Sequence, residues 1–347
     1  MRSLEKMIQE NLENVVDMQT IQSLFSLHQI GEQTWEVVES PEIPLLEGAI
    51  YYQGKVRANF FGGRLFDRNA IPLRVIIATD QISTHDIVRG TIPFKGQILT
   101  AISNAMLDYI SGSIRSSQIS TPGPNVVIAE NCTPIDFEMV LRKYMAKSTT
   151  ETSLYHHYSV LGEREFCGHK LPDNLTANGL LPYIMDTPST KVRDVSGGHD
   201  RSVAPEYLFE NGLVTPEEYT HIRNATIEDF GRASALLEQR GIIIADTKFE
   251  IGKNSKGEIV YIDEVLTPDA SRYWLIGDYR EKMRNNEEPT SYSKQIARDI
   301  GEVGEKYTDE QRVVIGVRFL ETYEHLMGKP FKPYLRDVRQ IIIEACR

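Results

Sequence analysis

The segment Asp246-Thr-Lys-Phe-Glu250 concentrates charged side chains in a stretch with the apolar texture of a buried strand. The residues Ile242 to Ile244 precede it, and side chains alternate between the two faces of a strand. Asp246, Lys248 and Glu250 therefore share one face. Because burying three unpaired charges is costly, the pattern indicates a polar site. Carboxylates around one lysine suit a divalent cation and a transferring phosphoryl group.

A second strand, predicted at 258–266, extends this charged face. If residues 252–257 form a six-residue hairpin loop, Asp246 lies opposite Asp263. A slip of one residue brings Glu264 to that position instead. Either register collects carboxylate oxygens, the ligands that Mg²⁺ prefers. A solvent-facing polar side of an edge hairpin is the alternative interpretation.

Basic residues form two further candidate sites. Lys55 and Arg57 alternate onto one face of a strand beside Gly54, which makes a cationic strip suited to polyphosphate. Arg142 and Arg272 are guanidinium groups that could clamp a phosphate or a carboxylate bidentately. Ordinary solvated surface side chains are the alternative interpretation of both sets.

Several familiar catalytic patterns do not occur in the sequence. There is no H-E-x-x-H motif, no zinc-like histidine spacing and no G-x-S-x-G turn, which argues against zinc enzymes and serine hydrolases. A Walker A loop and a G-x-G-x-x-G loop do not occur either. The pair His199-Asp200 follows two glycines and lies downstream of Lys191, so it is either functional or part of a turn.

The composition agrees with a globular protein of two domains. Its 347 residues are 41% hydrophobic and 25% charged. The net charge of −11 argues against binding of nucleic acid. No apolar run reaches the roughly 18 residues that span a bilayer, and no secretory signal is visible, so no membrane partner is expected. Three widely spaced cysteines favour a reducing compartment, and we expect the cytoplasm.

The elements that carry these residues are mixed rather than strictly alternating, which predicts an α+β fold. Strands are predicted at 50–61, 75–78, 126–129, 242–251 and 258–266. Helices are predicted within 1–30, at 101–110, from Thr215, from Thr226 to Arg240 and from Thr308 to about residue 327. The region from Lys147 to Ala204 is expected to form long loops with short elements.

Together these segments resemble the SAICAR synthetase family. They occur in the order of that family and cover roughly residues 50 to 335. The Asp-Thr-Lys-Phe-Glu and Leu-Thr-Pro-Asp-x-Ser-Arg-x-Trp segments are the most specific. The matching stretches are Gly54-Lys-Val-Arg57, Ile77-Ala-Thr-Asp-Gln-Ile-Ser83, Ile92-Pro-Phe-Lys-Gly96 with Leu99-Thr100, Glu138-x-x-x-Arg142, Pro188-Ser-Thr-Lys191, His199-Asp200, Ala245-Asp-Thr-Lys-Phe-Glu250 and Asp263-Glu-Val-Leu-Thr-Pro-Asp-Ala-Ser-Arg-Tyr-Trp274.

The resemblance implies two α+β regions with an ATP-grasp-related nucleotide site between them. We expect an N-terminal helical extension at 1–47, an N-terminal α+β domain at 48–135, an ATP-grasp-like domain at 136–290 and a C-terminal helical segment at 291–347. The implied reaction joins 5-amino-1-(5-phosphoribosyl)imidazole-4-carboxylate to L-aspartate through an acyl phosphate. It gives SAICAR, ADP and phosphate in de novo purine biosynthesis. The implied partners are these small molecules, and a homo-oligomer is compatible with the sequence.

The resemblance also implies roles for single residues around ATP and Mg²⁺. Glu138 would border the adenine, and Lys248 would steady the phosphoryl group. The residues implied to hold ATP phosphates are Lys55 and Arg57. The residues implied to bind Mg²⁺ are Glu250 and Asp263.

Further positions are implied to contact the two substrates. Lys191 would lie near the reacting end of the ribonucleotide. The residues implied to contact the ribonucleotide are Arg142, Ser148, Arg272 and Asp200, with further basic contacts from Lys294 and Arg298. The candidates for the aspartate site are Ser83, Asp86, Lys95 and Thr100.

The loop after Arg142 departs from the family pattern. The family usually has Arg-Gly-Tyr and then a Gly-Ser loop, whereas this chain has Arg142-Lys-Tyr-Met-Ala-Lys-Ser148. A lysine before Ser148 neither reaches positive φ as cheaply as glycine nor lets a phosphate approach the backbone as closely. Two alternatives therefore stand beside SAICAR synthesis: a paralogous ATP-dependent amide ligase with another acid or amine, and a non-catalytic nucleotide-binding regulator.

Overall fold

The computed structural model divides the protein into two compact units. The described residues of one unit fall within 46–105, 117–131 and 292–344, and those of the other unit fall within 106–116 and 132–291. The predicted helices within residues 1–30 lie outside the described residues. The predicted four-segment division at 47, 135 and 290 stays a prediction. The residues that the structure describes are 46–67, 69–110, 112–148, 150, 152–191, 200–334 and 343–344.

The described elements mix strands and helices along the chain. The strands are β1 Ile50–Gln53, β2 Arg57–Phe66, β3 Pro72–Ala78, β4 Gln81–Thr84, β5 Ile87–Thr91, β6 Arg115–Ser116, β7 Gln118–Gly123, β8 Val126–Glu130, β9 Thr133–Tyr144, β10 Glu165–Phe166, β11 His169–Lys170, β12 Leu180–Asp186, β13 Ser189–Thr190, β14 Ile242–Lys253, β15 Ile259–Tyr261 and β16 Ser271–Leu275. The helices are α1 Lys95–Tyr109, α2 Pro205–Glu210, α3 Pro216–Gln239, α4 Ile276–Arg284, α5 Gln295–Asp299 and α6 Asp309–Met327, with a π-helical turn at His156–Val160.

The unit that contains β1 has a five-stranded antiparallel sheet in the order β1-β2-β3-β8-β7 and a separate β4-β5 hairpin. Alternate residues of β2 and β3 are apolar, and Ala58, Phe60, Val75 and Ile77 are fully buried. The hairpin is fastened to α6 by Arg312, whose Nε donates to the carbonyl of Thr91 over 2.6 Å.

The other unit contains a seven-stranded sheet that carries the charged segment. Its main path runs β12-β9-β14-β15-β6, with β13 paired to β9 and β16 paired to β14. Helix α3 packs against β9 and β14. The side chains on the packed face include Phe137, whose ring lies 6.0 Å from that of Tyr219 on α3. The opposite face of β9 and β14 carries Glu138, Arg142, Asp246, Lys248 and Glu250.

The α+β class is confirmed, and several predicted boundaries are wrong. The strand predicted at 50–61 is divided into β1 and β2, and the helix predicted at 101–110 begins at Lys95. Residues Pro216–Gln239 form one helix instead of two, because the hydroxyl of Thr226 is buried and donates to the carbonyl of Ile222 over 2.8 Å without interrupting the helix. The strand predicted at 258–266 ends at Tyr261. The predicted helix from Thr308 is confirmed and has a complete capping box. No helix in the described parts of the chain is long and apolar enough to cross a membrane.

Candidate active site

The candidate site lies on one face of two neighbouring strands, β9 and β14. Their antiparallel register places Asp246 beside Arg142 and Glu250 beside Glu138. Lys248 lies between these two pairs along β14, on the same face. The prediction that Asp246, Lys248 and Glu250 share a face is therefore confirmed, and β9 adds two further charges to that face.

Lys248 is the centre of a compact group of charges. Its Nζ donates to Glu138 Oε1 over 2.7 Å and to Glu250 Oε1 over 3.0 Å. Lys191 approaches from beyond β13 and forms an ion pair with the other oxygen of Glu250. Two cations and two carboxylates thus converge on one patch of the sheet, and all four were predicted as site residues: Lys248, Lys191, Glu250 and Glu138.

The electrostatics of this group keep it ionised. Burial alone lowers the pKa of Lys248, but the carboxylates of Glu250, Glu138 and Asp263 outweigh it, and the pKa lies well above the ordinary lysine value. Burial likewise acts to raise the pKa of Glu250, yet the ammonium groups of Lys248 and Lys191 hold it well below the ordinary range. An ammonium and a carboxylate are therefore fixed side by side at neutral pH.

Asp263 reaches this group by a different route from the one predicted. Ile251 pairs with Tyr261, whereas the predicted hairpin paired Ile251 with Glu258, so the observed register is shifted by three residues. The prediction that Asp263 lies opposite Asp246 is wrong, because β16 occupies that position and places Arg272 there. Asp263 lies just beyond β15 instead, close enough to raise the pKa of Lys248.

A second cluster of charges lies further along the same face. Arg142 Nη1 lies 3.4 Å from Asp246 Oδ2, and Arg272 Nη2 lies 3.0 Å from the same oxygen. These three side chains are only 9% to 13% exposed. Thr187 Oγ1 accepts a hydrogen bond of 2.9 Å from Arg142 Nε and so fixes the plane of that guanidinium. Two arginines held on one carboxylate form an anion-binding group.

The loop that carries Ser148 begins beside this cluster. Arg272 Nη1 donates to the carbonyl of Lys147 over 3.0 Å. The hydroxyl of Ser148 accepts from the backbone N–H of Thr150 over 3.2 Å. The structure thus brings Arg142 and Arg272 together. Ser148 directly follows Lys147, the residue that Arg272 contacts.

The unit that contains β1 holds other predicted residues. Lys55 forms an ion pair with Asp86, and both side chains are 54% exposed. Asp86 adopts a positive φ of 64° in the turn between β4 and β5. Arg57 is the first residue of β2 and pairs with Ala78. Ser83 lies buried on β4.

Lys95 and Thr100 belong to the first turns of helix α1 and are buried. The ammonium group of Lys95 acts on the buried carboxyl of Asp80, whose pKa is raised to about 6 because burial outweighs the bonds and charges that lower it. The hydroxyl of Thr100 donates to the carbonyl of Gly96 over 2.8 Å. These contacts hold the start of helix α1, and the roles of Lys95 and Thr100 in an aspartate site stay predictions.

Three further predicted residues lie in or near the short helix α5 and in the loop at residue 200. Lys294 immediately precedes α5, and Arg298 within α5 donates to Gln295 Oε1 over 3.3 Å. Asp200 is exposed and is the first described residue after 192–199, so its predicted neighbour His199 lies outside the described residues. The next residue, Arg201, accepts at its carbonyl from the backbone N–H of Thr190 of β13 over 2.9 Å, and its own N–H donates to the hydroxyl of Thr190 over 3.2 Å.

A buried group around Asp186 was not predicted from the sequence. Tyr219 donates to Asp186 over 2.7 Å, Arg223 Nε lies 2.9 Å from the same carboxylate, and His169 Nε2 lies 2.7 Å from its backbone carbonyl. Asp186 directly precedes Thr187, which holds Arg142. No local motif could have shown this, because the four members come from β11, β12 and α3.

The carboxylates around Lys248 fit the chemistry of a magnesium site. Mg²⁺ in proteins is usually held by one or two carboxylates together with substrate phosphates. Glu250 and Asp263 are two carboxylates of this kind, and the charges of both raise the pKa of Lys248. Within the described ranges, no group of three or more histidine, cysteine, aspartate or glutamate side chains is arranged to hold a metal without such help.

Comparisons with known proteins agree on one family. The model of the family described as SAICAR synthetase matches residues 50–314. The phosphoribosylaminoimidazole-succinocarboxamide synthase of Bacteroides thetaiotaomicron is 35% identical over 293 residues, which cover 81% of this chain and 88% of the relative. The solved SAICAR-synthase from Saccharomyces cerevisiae complexed with SAICAR is 26% identical, with a TM-score of 0.66, over 85% of this chain and 98% of that one.

The fold, the charged sheet face and these relatives define a ligase that forms a carbon–nitrogen bond. The chain belongs to the SAICAR synthetase family. The family, the α+β fold class and the class of enzyme that the sequence predicted are confirmed. The roles of the single site residues stay predictions.

Proposed function

We propose that the protein joins 5-amino-1-(5-phosphoribosyl)imidazole-4-carboxylate to L-aspartate with the cleavage of ATP to ADP and phosphate. The observation that carries this proposal is the pair of charge groups on one sheet face. Lys248 with Glu250 suits the transfer of a phosphoryl group, and Arg142 with Arg272 suits the phosphate of a ribonucleotide. A substrate that carries a carboxylate and a phosphate can engage both groups.

The chemistry follows from the poor reactivity of a carboxylate towards an amine. An oxygen of the substrate carboxylate attacks the terminal phosphorus of ATP, and the bond from that phosphorus to ADP breaks. The amine of aspartate then attacks the acyl carbon of the resulting acyl phosphate. The carbon–oxygen bond breaks, an amide forms, and phosphate leaves with one proton of the amine.

Lys248 is the residue that we assign to the phosphoryl transfer. Its carboxylate neighbours keep its ammonium group charged and oriented, so it meets the negative charge of the transferring group without rearrangement. Glu250 and Asp263 are the carboxylates that would hold Mg²⁺, which neutralises phosphate charge when bound. Lys191, paired with Glu250, is assigned to the reacting end of the ribonucleotide.

The remaining predicted contacts are part of the proposal. Arg142 and Arg272 would bind the ribonucleotide phosphate, with Asp246 orienting both guanidinium groups. Lys55 and Arg57 would contact ATP phosphates, and Glu138 would border the adenine. Ser148, Asp200, Lys294 and Arg298 stay candidate contacts of the ribonucleotide, and Ser83, Asp86 and Lys95 stay candidates for the aspartate site.

A coupled assay of ADP release tests this function. We expect ADP release that requires ATP, the imidazole ribonucleotide and L-aspartate together. Release that ignores either the ribonucleotide or aspartate would contradict the proposal.

A second candidate is a paralogous amide ligase that activates another acid or uses another amine. The observation that favours it is the loop with Lys147, whose carbonyl accepts from Arg272 at the edge of the ribonucleotide pocket. The same assay with other acids and amines distinguishes the two functions. Nucleotide binding without ADP release from any pair of substrates would instead point to a regulator.

A further inference from the structure

We propose that Lys147 is a third cation of the ribonucleotide phosphate site and exchanges its partner Glu288 for the phosphate when the substrate binds. This inference rests on the proposed function, because it assigns a specificity residue to the same pocket. It assigns a substrate-binding role to the lysine that stands before Ser148, where the family usually has a glycine.

The backbone of Lys147 is fixed at the edge of the arginine cluster. Its carbonyl accepts from Arg272 Nη1 over 3.0 Å, and its N–H donates to Asn178 Oδ1 over 2.8 Å. The backbone of Lys147 does not have a positive φ, so lysine occupies this position without backbone strain. The backbone of Lys147 is thus hydrogen-bonded directly to the guanidinium of Arg272, which we assign to binding of the phosphate.

The charge of the cluster leaves room for another cation. Arg142 and Arg272 contribute two positive charges, and Asp246 between them removes one. A phosphate monoester carries a charge of about −1.5 to −2 at pH 7. One net positive charge does not balance it, whereas an added ammonium group does. A lysine at the edge of this pocket supplies the missing charge on a flexible stem.

The present partner of Lys147 is easily exchanged. The ammonium group forms an ion pair with Glu288, and the two side chains are 45% and 60% exposed. Exposed ion pairs contribute about 0–1 kcal/mol or less. A phosphate already held by two arginines offers the same ammonium a charge-assisted hydrogen bond in a less exposed place. Exchange of Glu288 for the phosphate is therefore favourable.

A neighbouring lysine provides a matched control. Lys143 also replaces a glycine of the family pattern and also forms an ion pair, with Glu238 near the end of α3. Because side chains alternate along β9, Lys143 lies on the face opposite Arg142. Its replacement removes an ion pair, less exposed at 22% and 37%, without changing the charge around Arg272.

The test is isothermal titration of the imidazole ribonucleotide and of its dephosphorylated nucleoside into the full-length protein. We expect Lys147→Met to weaken binding of the ribonucleotide about tenfold and to leave binding of the nucleoside unchanged. We expect Lys147→Arg to restore most of the affinity and Lys143→Met to have no effect on either ligand. Glu288→Gln, which releases Lys147, is expected to strengthen ribonucleotide binding about threefold.

Equal ribonucleotide affinities of the unsubstituted protein and Lys147→Met would overturn the inference, as would a loss that is the same for the nucleoside. Failure of the proposed function has a different signature, because it removes ADP release by the unsubstituted protein. If the unsubstituted protein does not bind the ribonucleotide at all, both proposals fall.

Discussion

At the scale of single residues, the site depends on the way in which carboxylates hold an ammonium group. Lys248 donates to Glu138 and Glu250, and these bonds fix both its charge and its position. An isolated surface lysine would have neither property, since its stem is flexible and its head is strongly hydrated. The chemistry therefore requires the two-strand register as well as the lysine itself.

Replacement of Lys248 by methionine should remove this contribution while keeping most of the packing of the stem. We expect kcat to fall by about 10²–10³, the usual loss when one preorganised donor to a transition state is removed, with nucleotide binding largely retained. The measurement is steady-state ADP release with parallel titration of ATP. Lys253→Met, at the end of the same strand and paired with Glu218, is the control and should retain activity. Turnover of Lys248→Met at the unsubstituted rate would contradict the assigned role.

The buried group around Asp186 predicts a pH dependence of stability. The carboxylate of Asp186, whose Oδ1 lies 3.4 Å from His169 Nε2, is the main cause that raises the pKa of His169 above its ordinary value. Because the folded pKa is the higher one, protonation of His169 stabilises the fold at pH values below the unfolded pKa of about 6.5. This contribution is lost as the pH rises through the raised pKa.

His169→Gln tests this linkage. Thermal unfolding should show a lower Tm for the variant than for the unsubstituted protein at about pH 5.5, and the difference should shrink at about pH 9. His156→Gln, at a histidine of the π-helical turn, controls for the loss of an imidazole outside the group around Asp186. A Tm difference that is constant across this pH range would show that His169 acts through packing alone.

At the scale of elements, helix α3 supports the sheet from the face opposite the site. Its capping box is complete: Thr215 accepts from the N–H of Glu218, and Glu218 accepts from the N–H of Thr215. Thr215→Ala should lower the free energy of unfolding by about 1 kcal/mol, measured by urea denaturation. Thr220→Ala, in the exposed part of the same helix, removes a hydroxyl without removing a cap and should be close to neutral. Equal losses for the two variants would contradict the capping role.

Local patterns predicted the elements that have strong local signals. The alternation in β14 and the caps at Thr215 and Thr308 were readable because each depends on neighbours within a few residues. The β14–β15 hairpin was misjudged because Asn254 closes it: its side chain accepts from the N–H groups of Lys256 and Glu258. A side-chain closure of this kind shortens the loop and shifts the register, and residue spacing alone does not show it.

At the scale of the whole molecule, side chains far apart in sequence complete each unit. Arg89 is 1% exposed, and its guanidinium donates to the carbonyls of Glu302, Glu305, Ala297 and Ile300. These acceptors lie more than 200 positions away along the chain. The family resemblance identified the chemistry of the protein, but neither it nor any local pattern indicated this tie, or the pairing of Lys191 with Glu250.

Arg89→Met should be strongly destabilising because it leaves several carbonyl groups without their donor. Since one unsatisfied buried group costs about 1–3 kcal/mol, we expect a loss of at least about 3 kcal/mol in urea denaturation. Faster hydrogen exchange in residues 297–307 should accompany it. Arg64→Met, which removes an exposed ion pair with Glu47, is the control and should change stability by about 1 kcal/mol or less. A loss as small as that of the control would contradict the structural role of Arg89.

The central claim is that this sheet face activates a carboxylate by phosphorylation. The most direct measurement follows the oxygen atoms of the ribonucleotide carboxylate, both labelled with ¹⁸O, during turnover with ATP and L-aspartate. Because the acyl phosphate keeps one carboxylate oxygen on phosphorus, the account predicts one labelled oxygen in each released phosphate, detected by mass spectrometry. Phosphate released without label, while the amide product accumulates, would contradict it.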